Sequence, residues 1–593
     1  MSIASAKARH FIEHEKQFHL GVLPTEQSNP LTRGLAEVFQ KNTVDGIRLL
    51  QKVDRTIVEP VRQVLQSDEF ARMREAIFGA LNDGGKIVFS GCGATGRVSI
   101  LLESAWREFW QGAADRLPNK RDLCARMENA VFSIMTGGDY ALVRSVENFE
   151  DFQQFGRRQV RDLGLGKGDV LIAISEGGET SSVIGTLHES LERGARAFFL
   201  FNNPADILCR HVERSREIIE NEKVTCIPLY SGPMAVAGST RMQATTFEML
   251  IALAALELVL GEIVGREFPN RIPAAHAAPE DYAETFAILL DDLAAEDAIS
   301  QLAGMTELEA KTYGAGGRVT YYAGSCLLDI FTDTTERAPT FMLPPFRKSD
   351  DALSPPSWAF VKHAFLPTPR AWQLTYRRAP RCLEWTPADY GELNAPESIV
   401  NKPPKLQKAE LFKFLVGCED DPSRYETAGS LAVLVCAGKE YADICGNADH
   451  PLLSGFRKAS KNFSVMAMFS IGEERAPVLP VENRFHLTAK LPSSALRLWE
   501  RLAVKLAFNT VSTATMALMG RLSSNWMAHV ETSNKKLIDR GTRLVAELAN
   551  VDYEIACVAL HETIEMQAAS QDAKRETPSP VFLTVKRLTK TAK

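Results

Sequence analysis

GGKIVFSGCGATGRVSILLESAWREF, residues 84–109, runs from a short apolar strand through a glycine-rich turn straight into a helical pattern. Parallel-sheet units begin this way, with the helix laid back over the strand it follows. The apolar runs KIVFS (86–90), AVFSIMT (130–136), DVLIAIS (169–175), ARAFFLFN (195–202) and VTCIPLY (224–230) have strand length, and helical-period segments separate them. Nearly continuous apolar strands alternating with helices predict a parallel sheet covered on both faces. A helix from Ser239 to about Gly265 closes the unit. Its stretch MLIALAALELVLGEIVG (249–265) contains Glu257 and Glu262 and is shorter than a bilayer requires, so it reads as a core helix.

A second series follows: RVTYYAG (318–324), WQLTYR (372–377), LAVLVCAG (431–438), FSVMAMFSIG (463–472) and RFHLTAKL (484–491). The Pro-rich stretch 339–407 reads as insertion and loop, a long amphipathic helix is expected from near Ser494, and the remainder to about 570 reads as helical. Residues 84–109 can be laid over GGRVTYYAGSCLLDIFTDTTERAPTF (316–341) with one residue fewer in the second loop, so an internal duplication is plausible. Duplicated domains commonly face each other across a pseudo-two-fold.

At 593 residues the chain exceeds what one core supports, since cores stop growing near roughly 250–300 residues. The expected division is an N-terminal helical segment (1–65), a first α/β domain (66–280), a second, degenerate one with a Pro-rich insertion spanning 342–430 (281–510), and C-terminal helices with a basic tail (511–593). With 45% hydrophobic and 24% charged residues the composition is that of an ordinary globular protein. A net charge of -6 argues against a nucleic-acid partner, and the one basic run, VKRLTKTAK (585–593), reads as a solvated, poorly ordered terminus. Ten cysteines lie scattered without a C-x-x-C pair, which excludes a zinc site or disulfide framework of known spacing and fits a reducing, cytoplasmic location. The first 23 residues have no apolar core of a secretory signal, and no membrane association is expected.

Three turns carry candidate chemistry. GCGATGR (91–97) satisfies G-x-G-x-x-G, but the interval after it, WREFWQGAADR, is helical where a dinucleotide site wants a second strand ending in an acid. Gly93 and Gly96 let the backbone approach an anion there, and the helix start and Thr95 hydroxyl supply donors, which suits a phosphate. Ser175, Glu176, Gly177 and Thr180 form a second hydroxyl-rich turn, and Gly238, Ser239 and Thr240 a third, with Arg241 beside it. Each alone would be a helix cap. At the carboxyl ends of adjacent parallel strands, the three converge on the crevice where open sheets bind ligands. Carboxylates come from TGGDYALVRSVENFED (136–151), read as starting a helix that sets Glu147 and Glu150 one turn apart.

TEQSNP (25–30), GCGATGR (91–97), GGDYALVRSVENFED (137–151) and GSTRM (238–242) resemble successive motifs of the N-acetylmuramic acid 6-phosphate etherases. AFNTVSTATMALMGRL (507–522) and ETSNKKL (531–537) resemble the closing helices of their duplicated relatives, the glucokinase regulatory proteins. The resemblance covers roughly residues 23–565 and implies two tandem SIS domains, flavodoxin-like parallel sheets in three αβα layers, plus a small C-terminal helical region. It implies phosphate binding by the first two turns with Ser239 and Thr240 nearby, makes Glu150 the match to an active-site glutamate, and makes Lys536 the match to a lysine reaching the ligand from the other half. No cofactor and no metal are implied.

The departures are informative. Ala105 stands where the etherases carry an acid in a D-x-S-E-x-P-P-T context, and Glu103 lies on a different side of the helix and does not replace it. In the second repeat DTTERAPT (333–340) fits that context, placing Glu336 on the acid position, whereas YAGSCLLD lacks the T-G-R signature. Gly177, Met234 and Gln243 replace a serine, a glutamate and a lysine. One composite site is therefore expected, with phosphate turns and Glu150 from the first domain and Glu336 and Lys536 from the rest. Its ligand would be a hexose or amino-sugar phosphate. The chain would be either a sugar-phosphate sensor acting on a protein partner or an etherase-like lyase in which Glu150 and Glu336 share acid and base roles. An aldose–ketose isomerase ranks last, for want of a histidine in any matching motif.

Overall fold

The computed structural model describes residues 2–146, 149–268, 278–473, 481–532, 534–568, 576 and 578–591. Strands β1 (Ile87–Gly91), β2 (Val131–Met135), β3 (Val170–Ser175), β4 (Arg196–Phe201) and β5 (Val224–Pro228) form one sheet in the order β2-β1-β3-β4-β5. Strands β6 (Val319–Ala323), β7 (Ala359–His363), β8 (Leu431–Ala437), β9 (Val465–Gly472) and β10 (Asn483–Thr488) form a second in the order β10-β9-β8-β6-β7. Every pairing is parallel, and counted from its own first strand each sheet has the same order. The architecture is two α/β domains with helices on both sheet faces, as the alternation of apolar strands and helices requires.

Two differences concern the second sheet. WQLTYR is not a strand: all but its last residue lie in the helix Thr368–Tyr376, whose buried Trp372, Thr375 and Tyr376 recur with helical spacing and whose Trp372 stacks between Phe331 and Tyr376. The second strand is AFVKH, inside the stretch read as loop. Lys362 can be buried there because its ammonium donates to the carbonyls of Leu415 (2.7 Å) and Glu419 (3.0 Å).

The first domain's closing helix is Gln243–Glu267, and it is a core helix. The helix Leu498–Leu518 begins four residues after Ser494, whose hydroxyl accepts from the Leu498 amide at 2.7 Å. It is buried on nearly every face rather than amphipathic, and it contacts Gln243–Glu267 on one side and Leu327–Thr334 on the other. The expected division at 510 falls inside this continuous helix, and that at 280 falls within the helix Pro279–Leu293. The basic run, read as a poorly ordered terminus, is helical as far as it is described: it lies in Pro580–Thr591, with Thr584 buried on Thr563 and Arg587 paired with Glu562. No helix among the described residues is long and apolar enough to cross a membrane.

Residues 377–383 strap the second domain to the first. Arg378 and Arg381 both meet the buried Glu103, and Arg378 also meets Asp139. Glu103 accepts further from Arg107 and from the Ser133 amide at 3.0 Å. Although burial alone would raise its pKa, these guanidiniums hold its carboxyl well below the usual range. Glu103 is a structural anchor, which agrees with its rejection as a replacement acid.

Candidate functional site

A cleft of about 160 Å³ opens at the carboxyl ends of β1–β3. Its lining draws on three parts of the chain: Gly93, Thr95, Glu150, Glu176, Gly177, Thr180, Gly238 and Thr240 from the first domain, Glu336, Pro339 and Thr340 from the second, and Asn534, Lys536 and Arg540 from the C-terminal segment. Glu150, Glu336 and Lys536, separated by hundreds of residues, thus line one cavity.

The first turn is built by its glycines. Gly93 takes φ +54, and a Cβ on Gly91 would lie 2.6 Å from the Thr95 backbone. The helix Gly93–Arg116 therefore starts against the strand, presenting the amides that have no partner at any helix start. Thr95 uses its hydroxyl within the turn, accepting from the Cys92 amide (3.0 Å) and donating to the Cys92 carbonyl (2.8 Å). Gly96 does not line the cleft: a Cβ there would come within 2.8 Å of Met135 Cγ, so it serves close helix–strand packing.

Ser175 also lies behind the cleft wall, its hydroxyl accepting from the Gly178 amide (3.2 Å) and sharing a hydrogen bond with Thr180 (3.0 Å). Ser239 is buried outside the lining, its hydroxyl without a hydrogen bond among the described residues, leaving Thr240 as the hydroxyl of the third turn that reaches the cavity. Arg241 turns away to Asp333, Ser512 and Thr513 and ties the domains together. Met234 and Gln243 are buried away from the lining, Gln243 between Asp54 (2.7 Å) and the Ala235 amide (2.9 Å).

Residues around Glu150 form turns rather than a helix start, apart from the short 3₁₀ segment Asp139–Leu142; Glu147 lies outside the described residues. Glu150 accepts from Asn534 Nδ2 at 2.7 Å, and the Cys92 thiol donates to it at 3.7 Å. Glu336 is buried and ion-paired with Arg97, which also donates to Thr335 Oγ1 at 2.9 Å. The T-G-R arginine therefore serves the second domain's acid motif, not the phosphate turn. Arg337 of that motif pairs with Asp333 (2.9 Å) and Glu309 (2.6 Å).

Sequence reasoning missed the charged frame behind the lining. Arg540 is held by Glu26 in a two-pronged pair (2.9 and 2.6 Å), with Arg543 adding a third contact at 3.0 Å. Lys536 Nζ donates to Glu179 Oε1 at 2.8 Å, and Arg214 Nη2 holds Glu179 Oε2 at 2.6 Å. Burial opposes the charge on Lys536, but Glu179, Glu26, Glu150 and Glu176 outweigh it and keep the ammonium above the ordinary lysine range. Glu179 is drawn down to about 2 by Lys536 and Arg214 in spite of its burial. Glu176, with no side-chain hydrogen bond or ion pair among the described residues, is pushed by burial up to about 7, Glu26 and Glu179 adding and Lys536 and Arg540 opposing. Glu26 and Asn534 both sit inside recognisable stretches, TEQSNP and ETSNKKL; their ion-pair and hydrogen-bond partners were the missing information.

The equivalent turn of the second domain is filled from within. Ser325 donates its amide to Glu440 Oε1 at 2.8 Å, and a Cβ on Gly324 would come within 2.3 Å of that oxygen. Arg497 donates to Ser325 Oγ at 3.0 Å, and Glu440 Oε2 is buried without a hydrogen-bond partner among the described residues. A carboxyl of the chain itself occupies the amide that an anion would take.

Residues 69–191 match the family described as Glucokinase regulatory protein N-terminal SIS domain. N-acetylmuramic acid 6-phosphate etherase 1 of Bacillus licheniformis is 30% identical over 233 residues, 39% of this chain and 67% of that protein. An N-acetylmuramic acid 6-phosphate etherase of a Synechococcus strain is 30% identical over 276 residues, 46% of this chain and 77% of that protein. Among solved structures, the C-terminal domain of glucosamine-fructose-6-phosphate aminotransferase from Francisella tularensis is similar at a TM-score of 0.43 and 12% identity, over 81% of this chain and 97% of that one. The chain belongs to the SIS-domain family of the N-acetylmuramic acid 6-phosphate etherases and glucokinase regulatory protein.

Proposed function

We propose that the protein binds one phosphorylated sugar in the cleft and acts as a sensor of it, occupancy altering its association with a protein partner. The reading is carried by one observation: Thr95 and Thr180 of the first domain, Glu336 of the second and Lys536 of the C-terminal segment line the same cavity. A ligand there would touch three parts of the chain at once and bias their relative positions, which a sensor needs. The phosphate would lie on the amides of the first turn, with Thr180, Thr240 and Lys536 completing its shell. Glu150 and Glu336 would receive sugar hydroxyls. With Glu440 in the second turn, one ligand per chain is expected.

A second reading, an etherase-like lyase acting on a phosphorylated amino sugar, is favoured by Glu176. A carboxyl titrating at about 7 can give and take a proton near neutrality, and it shares the cleft with Glu150. In that chemistry one carboxyl removes the proton beside a ring-opened aldehyde and another protonates the departing ether oxygen. Incubation with N-acetylmuramic acid 6-phosphate separates the readings when lactate release is measured beside the thermal shift given by a panel of hexose and hexosamine phosphates. Stabilisation without lactate supports the sensor. Lactate release abolished by Glu336→Gln excludes a pure sensor, and no shift with any sugar phosphate removes the premise both share.

A further inference from the structure

We propose that Glu179 sets the affinity of the cleft, as an internal anion that competes with the ligand's phosphate for Lys536. The inference rests on the reading of the cleft as a phosphorylated-sugar site. Among the described lining residues the cations are Lys536 and Arg540, and Arg540 is already held in the two-pronged pair with Glu26. Lys536 is the cation an incoming phosphate would meet, and Glu179 holds it at 2.8 Å.

The arrangement permits exchange because Glu179 does not depend on Lys536 alone. Its second oxygen is bound by Arg214 at 2.6 Å, and Arg214 also donates to the Glu179 carbonyl. If the ammonium turns toward a ligand, the carboxylate remains paired. A phosphate monoester carries a charge of about −1.5 to −2 at neutral pH, so the buried carboxylate behind Lys536 opposes it at short range. Glu179 is ionised throughout the neutral range, so the opposition is constant.

Gly177 supports this conformation. A Cβ at that position would lie 3.1 Å from both Cγ and Oε1 of Glu179, tighter than ordinary contact. The serine that the etherase resemblance places there would crowd the side chain that reaches Lys536. The glycine and the glutamate form one feature of the turn, and it lowers the affinity of the site for anions.

The test is calorimetric titration of the full chain with fructose 6-phosphate, glucosamine 6-phosphate and inorganic phosphate, with unphosphorylated fructose as control. Glu179→Gln is expected to tighten binding of the phosphorylated probes about tenfold, to leave the control unchanged, and to lose its effect in a Lys536→Met background. Weaker binding by Glu179→Gln would overturn the proposal, because Glu179 would then be positioning the lysine; unchanged binding would overturn it as well. Should Glu179→Gln not fold, Glu179→Asp, one methylene shorter, is expected to give a smaller gain of the same sign, and a loss overturns the proposal. Wild-type binding with no gain in the variants refutes the competition alone, whereas absence of binding by every protein and probe refutes the site itself.

Discussion

Arg97 and Glu336, from different domains, form a buried ion pair in the wall of the ligand cleft, so the residue most easily read as a general acid is also a fastening between the two α/β units. Removing one member of a buried pair leaves the other charged and desolvated. Arg97→Met is expected to cost about 3–5 kcal/mol in urea denaturation, and the Arg97→Met/Glu336→Leu double variant should recover much of the loss. If Arg97→Met is neutral, the pair does not hold the domains together.

The Glu176 carboxyl keeps its proton to about pH 7, against 4.5 ordinarily. Between those values the unfolded chain releases a proton that the folded protein retains, so stability falls as pH rises through the window and levels off above it. Glu176→Gln removes this dependence. It is expected to match wild type at pH 4 and to exceed it at pH 8 by on the order of 3 kcal/mol, measured by urea denaturation at each pH.

Lys536→Met should leave the fold intact, because Glu179 keeps Arg214, while weakening sugar-phosphate binding at least about tenfold by calorimetry. Loss of folding in this variant would mean that the lysine is structural.

Glu440 in the second turn predicts a stoichiometry of one sugar phosphate per chain. Glu440→Ala strips the Ser325 amide of its acceptor in a buried setting and is expected to destabilise the protein by about 1–3 kcal/mol, read from thermal unfolding. A wild-type stoichiometry of two would show that the carboxyl yields to ligand.

Much of the fold was legible because a parallel sheet buried on both faces writes itself as apolar runs. DVLIAIS and LAVLVCAG could hardly be anything else, and β3 and β8 lie within them. AFVKH was illegible because Lys362 and His363 do not look like core residues until the carbonyls of Leu415 and Glu419 are in place around the lysine. WQLTYR misled because an aromatic–aliphatic run reads equally as strand or helix at that length, and only its partners Phe331 and the strapped loop decide. In the cleft, Glu150, Glu336 and Lys536 were picked out by resemblance, and the structure brings them together. Gly96, Ser175 and Ser239, chosen as ligand contacts from the same turns, stand behind the wall. Local sequence marks a turn, but which of its side chains faces the cavity depends on packing from the other side.

Glu26 and Arg540 meet across 514 residues of chain. During synthesis, both sheets have left the ribosome before Arg540 appears, so the amino-terminal domain must wait with Glu26 uncompensated and its cavity lacking one side. A chain stopped before Asn534 would contain both sheets and still lack Asn534, Lys536 and Arg540 from the cleft wall. The cleft is walled in only when the segment carrying Asn534, Lys536 and Arg540 packs against the two sheets that precede it in the chain.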